Sequence, residues 1–167
     1  CTLPDGSGLT RVGYAFTGWG TSASCTSGTY QETFYGNATR YACWSQQTET
    51  CQPGKKYNGS THVTCPAGEF CLGTGSVNVG TAGCSSECPG NGTSEPGATS
   101  STACYITCSG KTITGGKLTP VSETSNYNGS TYPACTYTAT CDPGYVAQNQ
   151  NSASATCKKC AAGDNCP

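Results

Sequence analysis

Tyr57-Asn58-Gly59-Ser60-Thr61, then three residues, then Cys65-x5-Cys71, returns seventy residues later as Tyr127-Asn128-Gly129-Ser130-Thr131 leading into Cys135-x5-Cys141. Beyond it the echo loosens: Cys84-x3-Cys88 is answered by Cys157-x2-Cys160. Self-similarity at a fixed spacing marks a repeat architecture. Here the copies are anchored by cysteines, so the repeat reads as a disulfide-stapled module. On this reading Cys65 and Cys71 stand in the same frame as Cys135 and Cys141, and the two sets are expected to share one bonding pattern.

Composition explains why cysteines must carry the fold. Leu, Ile, Val and Phe total fifteen in 167 residues, with two Trp and no Met. So little apolar surface cannot offset the entropy of ordering the chain. The fifteen cysteines are Cys1, Cys25, Cys43, Cys51, Cys65, Cys71, Cys84, Cys88, Cys104, Cys108, Cys135, Cys141, Cys157, Cys160 and Cys166. That density belongs to secreted scaffolds in which cross-links replace a core. Each bridge contributes about 2–4 kcal/mol, chiefly by restricting the unfolded chain. Seven would rival the roughly 5–15 kcal/mol that stabilises a whole domain.

The net charge is −1, and eight Lys and Arg are spread thinly. That excludes the clustered basic face a nucleic-acid partner requires. No run approaches the ~20 apolar residues of a membrane span, and no signal peptide heads the sequence. The chain therefore reads as a mature or trimmed piece of a secreted or cell-surface protein. Sequons at Asn37, Asn58, Asn91 and Asn128 are candidate N-glycosylation sites. A glycan, covalent or bound, is the non-protein partner this implies.

The first segment holds most of the aromatics. Tyr14-Ala15-Phe16-Thr17-Gly18-Trp19 alternates large with small or polar residues, the period of a strand with one buried face. Residues 29–34 and 40–44 read as two further strands, with Trp19 and Trp44 in one aromatic core. Arg11-Val12-Gly13-Tyr14-Ala15-Phe16-Thr17-Gly18-Trp19, closing about twenty residues later on Tyr41-Ala42-Cys43-Trp44, resembles the internalin-type B-repeat, or Listeria–Bacteroides repeat. The resemblance covers residues 2–45. It implies a small β-grasp-like spacer module of bacterial surface proteins, without catalytic residues. The family's leading strand, before Leu3-Pro4, is absent, and Cys1, Cys25 and Cys43 decorate a module that normally has none.

From Cys51 onward, Pro-Gly or Ala-Gly stands beside cysteines: Cys51-Gln52-Pro53-Gly54, Cys65-Pro66-Ala67-Gly68, Cys88-Pro89-Gly90 and Cys141-Asp142-Pro143-Gly144-Tyr145. Proline fixes φ and glycine supplies positive φ, so each makes a tight turn over a bridge. Between the turns lie three to six residues of Thr, Tyr, Val and Ile, enough for short two-stranded ribbons. No helical period is long enough for a helix. The segment resembles ephrin-receptor-like and tumour-necrosis-factor-receptor-like cysteine-rich modules. Residues 91–101 and 109–126 read as linkers. The expected fold is small, disulfide-rich, mainly β and elongated. A partial β-grasp-like module at 1–46 precedes cysteine-rich modules at 47–108 and 109–167, the last broken off within a loop.

Catalytic and metal chemistry finds little footing. Cys157-x2-Cys160 with Cys166, and Cys104-x3-Cys108, approach zinc-ribbon spacing, but a zinc site needs reduced thiolates. His62, the only histidine, reads as a surface residue, and the nine carboxylates are scattered singly. No phosphate loop or dinucleotide fingerprint occurs. The sequence thus points to no enzyme, no metal and no cofactor, but to an extracellular structural or adhesive repeat segment. The rival is a glycan- or receptor-binding adhesin module. Fifteen cysteines are odd in number, so one is expected to stay unpaired or bond between molecules, Cys1 or Cys166 by their terminal position. With an unpaired sheet edge at the front, that favours head-to-tail self-association.

Overall fold

The computed structural model describes residues 2–29, 36–163 and 166. Regular structure is almost all strand, as composition requires, with a single 3-10 turn at Ser101–Ala103 among the described residues. The strands are β1 (Tyr14–Gly20), β2 (Tyr41–Gln46), β3 (Thr48–Thr50), β4 (Lys55–Asn58), β5 (His62–Thr64), β6 (Glu69–Phe70), β7 (Ser76–Asn78) and β8 (Ala82–Gly83). They continue with β9 (Ser86–Glu87), β10 (Tyr105–Thr107), β11 (Lys111–Ile113), β12 (Gly116–Pro120), β13 (Thr124–Asn126), β14 (Tyr137–Cys141), β15 (Tyr145–Gln148) and β16 (Thr156–Lys159). All pair antiparallel, in sheets of two or three strands. Two compact units result: Cys1–Cys65 with Cys71–Ser85, and Pro66–Phe70 with Ser86–Pro167.

In the first unit, β1 pairs with β2, and Thr17 is an extra residue between the pairs Phe16↔Trp44 and Gly18↔Cys43. Strict alternation would put Gly18 on the Phe16 face; the bulge puts Trp19 there instead. The Phe16 ring accordingly meets Trp19 and Trp44 edge-on, at 5.4 and 5.7 Å. Trp19 Nε1 donates to the Pro4 carbonyl at 2.7 Å. The expected single aromatic cluster is present, with both indoles half-buried. Of the strand expected at 29–34, Thr29 exchanges two backbone hydrogen bonds with Trp19, at 2.9 and 3.1 Å. Residues 30–34 lie outside the described residues. Further along, β3 pairs with β7, and β4 runs between β5 and β8. Tyr57 on β4 is 1% exposed, the largest fully buried side chain described.

In the second unit, β6 pairs with β9, β10 with β13 and β15 with β16, while β12 lies between β11 and β14. Leu118, Tyr137, Ala139, Ala155 and Cys157 are buried together, with Ile113, Tyr145 and Ala147 packed against them. Both stretches expected to be linkers are structured. Residues 109–126 contain β11, β12 and β13. In 91–101, Ser94 is 2% exposed and its hydroxyl donates to the Glu69 carbonyl at 2.7 Å, while Thr93 trades backbone bonds with Tyr105 at 2.8 and 2.7 Å. The physical reason is closure by cross-links. Cys108–Cys135 and Cys88–Cys104 enclose these stretches. Little apolar burial is then needed to order them.

One edge of β14 is completed by a side chain. Tyr137 N–H donates to the Ser152 carbonyl at 3.0 Å, and Asn151 N–H donates back to the Tyr137 carbonyl at 2.9 Å. Two residues on, the Gln150 amide stands in for a strand: its Oε1 accepts from Ala139 N–H at 2.8 Å and its Nε2 donates to the Ala139 carbonyl at 3.0 Å. Gln150→Ala strips both bonds from a buried residue, and thermal denaturation should show a loss of about 1–3 kcal/mol. Phe16→Ala removes the ring both indoles lean on. Its expected cost is about 2–3 kcal/mol, below the roughly 3–5 kcal/mol of a fully buried ring.

Candidate functional site

Seven disulfides join fourteen cysteines: Cys25–Cys43, Cys51–Cys84, Cys65–Cys71, Cys88–Cys104, Cys108–Cys135, Cys141–Cys157 and Cys160–Cys166. The widest spans a separation of 33 residues, so the pairing is local throughout. Cys166, one of two candidates for the odd cysteine, is bonded to Cys160. Cys1, the fifteenth, lies outside the described residues. Cys157, Cys160, Cys104 and Cys108, the residues at zinc-like spacing, all belong to bridges.

The seventy-residue frame does not predict these bonds. Cys65 and Cys71 pair with each other, whereas Cys135 bonds Cys108 and Cys141 bonds Cys157. The intervening residues decide this. After Cys65, Glu69 N–H donates to the Pro66 carbonyl at 3.2 Å over Gly68, whose φ is 82°. That turn brings the cysteine Cα atoms to 6.0 Å. Between Cys135 and Cys141 lies β14, with Tyr137 and Ala139 alternating inward. At ~3.4 Å per residue a strand carries Cys141 roughly 14 Å from Tyr137. A disulfide needs Cα atoms within about 7 Å.

A different frame superposes the turn, the hairpin and the closing bridge, although the opening cysteines differ: Cys51 bonds Cys84 beyond its unit and Cys141 bonds Cys157 within its own. Gln52-Pro53-Gly54-Lys55 and Asp142-Pro143-Gly144-Tyr145 form the same turn, closed by N–H···O bonds of 3.0 and 3.1 Å. Proline sits second and a positive-φ glycine third (67° and 85°), the type II arrangement. Each turn opens a hairpin, β4–β5 or β15–β16. Each hairpin ends on a cysteine whose N–H returns to the turn glycine: Cys65 to Gly54 at 2.9 Å, Cys160 to Gly144 at 3.0 Å. Both cysteines then close a bridge of sequence separation 6, across Pro66-Ala67-Gly68-Glu69-Phe70 and Ala161-Ala162-Gly163-Asp164-Asn165. The repeated unit is therefore Cys-x-Pro-Gly, hairpin, Cys-x-Ala-Gly-acid-x-Cys.

The Tyr-Asn-Gly-Ser-Thr stretches recur faithfully, as turns. In each, the asparagine N–H donates to the threonine carbonyl at 3.1 Å. The Ser and Thr N–H groups donate to the asparagine Oδ1 at 2.9–3.0 Å. In each, the tyrosine ring faces the side chain five residues on: Tyr57 with His62 at 5.1 Å, Tyr127 with Tyr132 at 5.2 Å. Tyr132 finds a partner, donating to the Pro89 carbonyl at 3.0 Å. His62 is not the surface residue expected. It is half-buried against Tyr57, and its Nε2 is buried with no hydrogen-bond partner among the described residues. Asn37, Asn58, Asn91 and Asn128 are all exposed.

Electrostatic features are modest. Burial, and secondarily the nearby Tyr127 hydroxyl, raises the pKa of Tyr132. The Tyr105 hydroxyl donates to Glu95 Oε1 at 2.6 Å, and chiefly this bond raises its pKa above 10.0. The Arg11 guanidinium lies 3.9 Å from the Tyr14 ring centre, and Lys111 Nζ 4.9 Å from that of Tyr137. Among the described residues no group of His, Cys, Asp and Glu is placed to hold a metal ion. No helix there is long and apolar enough to cross a membrane. Comparison with protein-family models, curated proteins and solved structures gave no match. Sequence reasoning missed Gln150, Ser94 and the Tyr105–Glu95 pair, whose roles depend on partners 11, 25 and 10 residues away.

Three outcomes follow from this chemistry. Replacing His62 with Phe keeps the packing on Tyr57 and deletes the orphaned nitrogen. Melting should show a gain of about 1 kcal/mol. Loop entropy makes the Cys51–Cys84 bridge worth roughly 4 kcal/mol and Cys160–Cys166 roughly 2 kcal/mol. Removing each pair as a double Ala variant should destabilise in that order under denaturant. The raised pKa of Tyr105 means its hydrogen bond stabilises fully below the unfolded value near 10 and is lost as pH climbs through the folded one. Alkaline unfolding should therefore be less steep in Tyr105→Phe than in the parent chain.

Proposed function

We propose that this chain is a non-catalytic structural spacer segment of an extracellular surface protein or fibre, the structural side of the structural or adhesive expectation. The observation that carries the reading is the distribution of its cross-links. Six bridges succeed one another without overlap from Cys25 to Cys166, the seventh, Cys65–Cys71, lies inside the Cys51–Cys84 loop, and none is wider than 33 residues. Seven disulfides also match an oxidising compartment. Each short stretch is held by its own bridge, so a local break does not unravel its neighbours. That is the property a spacer exposed to tension and proteases needs. A twice-used turn–hairpin–bridge unit supports it, since a repeated spacer multiplies one solution.

Association with a second copy belongs to the proposal. Fourteen cysteines are bonded to one another, which leaves Cys1 as the residue for an intermolecular disulfide. Sizing under non-denaturing conditions should give a reductant-sensitive dimer that Cys1→Ser abolishes. A monomer carrying one titratable thiol would remove self-association from the account. On glycan arrays and intact cells the oxidised chain should show no saturable binding. Saturable binding that Tyr41→Ala or Trp44→Ala weakens would overturn the spacer reading in favour of an adhesin.

A further inference from the structure

We propose that Asn58 and Asn128 are twin self-modification sites, at which the following glycine nitrogen attacks the asparagine side-chain amide inside an oxyanion hole made by the turn itself. The geometry is duplicated to within a tenth of an ångström. Asn58 Oδ1 accepts from Ser60 N–H at 3.0 Å and Thr61 N–H at 2.9 Å; Asn128 Oδ1 accepts from Ser130 N–H and Thr131 N–H, both at 2.9 Å. An amide oxygen gathers negative charge when its carbon becomes tetrahedral. Two preplaced N–H donors at this distance are what stabilise such an oxyanion.

Further features of the same turns favour the attack. The nucleophile is the backbone nitrogen of Gly59 or Gly129, whose N–H donates to no protein acceptor among the described residues. The two glycines differ in their surroundings: around Gly129 nothing lies within 4 Å of where a Cβ would stand, whereas at Gly59 the Gly80 backbone lies at 3.4 Å, in ordinary contact. Both asparagines are exposed, and their Nδ2 atoms hold no hydrogen bond among the described residues. In the reaction the glycine nitrogen bonds to Cγ and loses its proton, and the Cγ–Nδ2 bond breaks. Ammonia departs, leaving a five-membered succinimide. Water then opens the ring at either carbonyl. One opening gives aspartate; the other gives isoaspartate, with one more methylene in the main chain. Each event adds one negative charge at a turn tip of a chain whose net charge is only −1.

Asn91-Gly92 is a built-in control. Its glycine N–H is engaged by the Pro89 carbonyl at 3.2 Å, and Gly92 sits beneath the Tyr132 hydroxyl, where even a Cβ would collide. No N–H donor reaches the Asn91 side chain among the described residues.

The test compares the oxidised, folded chain with the same chain reduced, alkylated and held in guanidinium chloride, both incubated at mildly alkaline pH. Peptide mass mapping with isoaspartate detection follows each Asn-Gly site. Asn58 and Asn128 should convert roughly tenfold or more faster in the folded chain, and Asn91 slower. Conversion at Asn58 and Asn128 no faster than in the unfolded chain overturns the proposal. So does a glycan found on either residue, because a substituted Nδ2 cannot leave as ammonia. Asn58→Gln with Asn128→Gln should abolish both signals and leave Asn91 unchanged.

Discussion

Chain entropy is the constraint this structure is built against, and the disulfide is the means. Ordering a residue costs about 1–2 kcal/mol in backbone freedom alone, and fifteen Leu, Ile, Val and Phe cannot offset that over 167 residues. Cysteine takes over the role of the core in both senses. It cross-links, and it fills the interior: eight of the thirteen buried hydrophobic residues described are cysteines. Cys43, Cys65, Cys71 and Cys104 are fully enclosed. Sulfur packs where a larger domain would place leucine.

Because each bridge is short, local turn chemistry decides which cysteines can meet. Pro66 and Gly68 fold six residues back on themselves, so Cys65 reaches Cys71. Tyr137 and Ala139, at strand period, hold Cys135 and Cys141 apart and send each to another partner. The same logic explains the sheets. Two or three strands are all a bridge-bounded segment can supply, and edges are finished by whatever is near, as Gln150 finishes β14.

Much of this was legible. Poor apolar content with dense cysteine specified a mainly β, disulfide-rich fold, and the Pro-Gly signals marked turns that exist. The Tyr-Asn-Gly-Ser-Thr echo marked a true repeat of turn geometry, down to the ring partners His62 and Tyr132. It misled on the bridges because identical cysteine spacing says nothing about whether the intervening residues bend or extend. That information lay in Pro66-Ala67-Gly68 against Tyr137-Thr138-Ala139. The segments taken for linkers had too few apolar residues to be recognised, since their order comes from cysteines outside them. The buried serine and the strand-mimicking glutamine have no sequence signal, because each is defined by a distant backbone partner.

The account stands on one assignment: that the structural repeat runs from Cys51 to Cys71 and again from Cys141 to Cys166, and that turn chemistry selects the bonds. Peptide mapping of the native chain under non-reducing conditions measures this directly. The predicted map contains Cys65–Cys71, Cys160–Cys166, Cys141–Cys157 and Cys108–Cys135 as separate linked fragments. A Cys135–Cys141 bond would contradict the account, since it would mean that cysteine spacing, and not the residues between, sets the pairing.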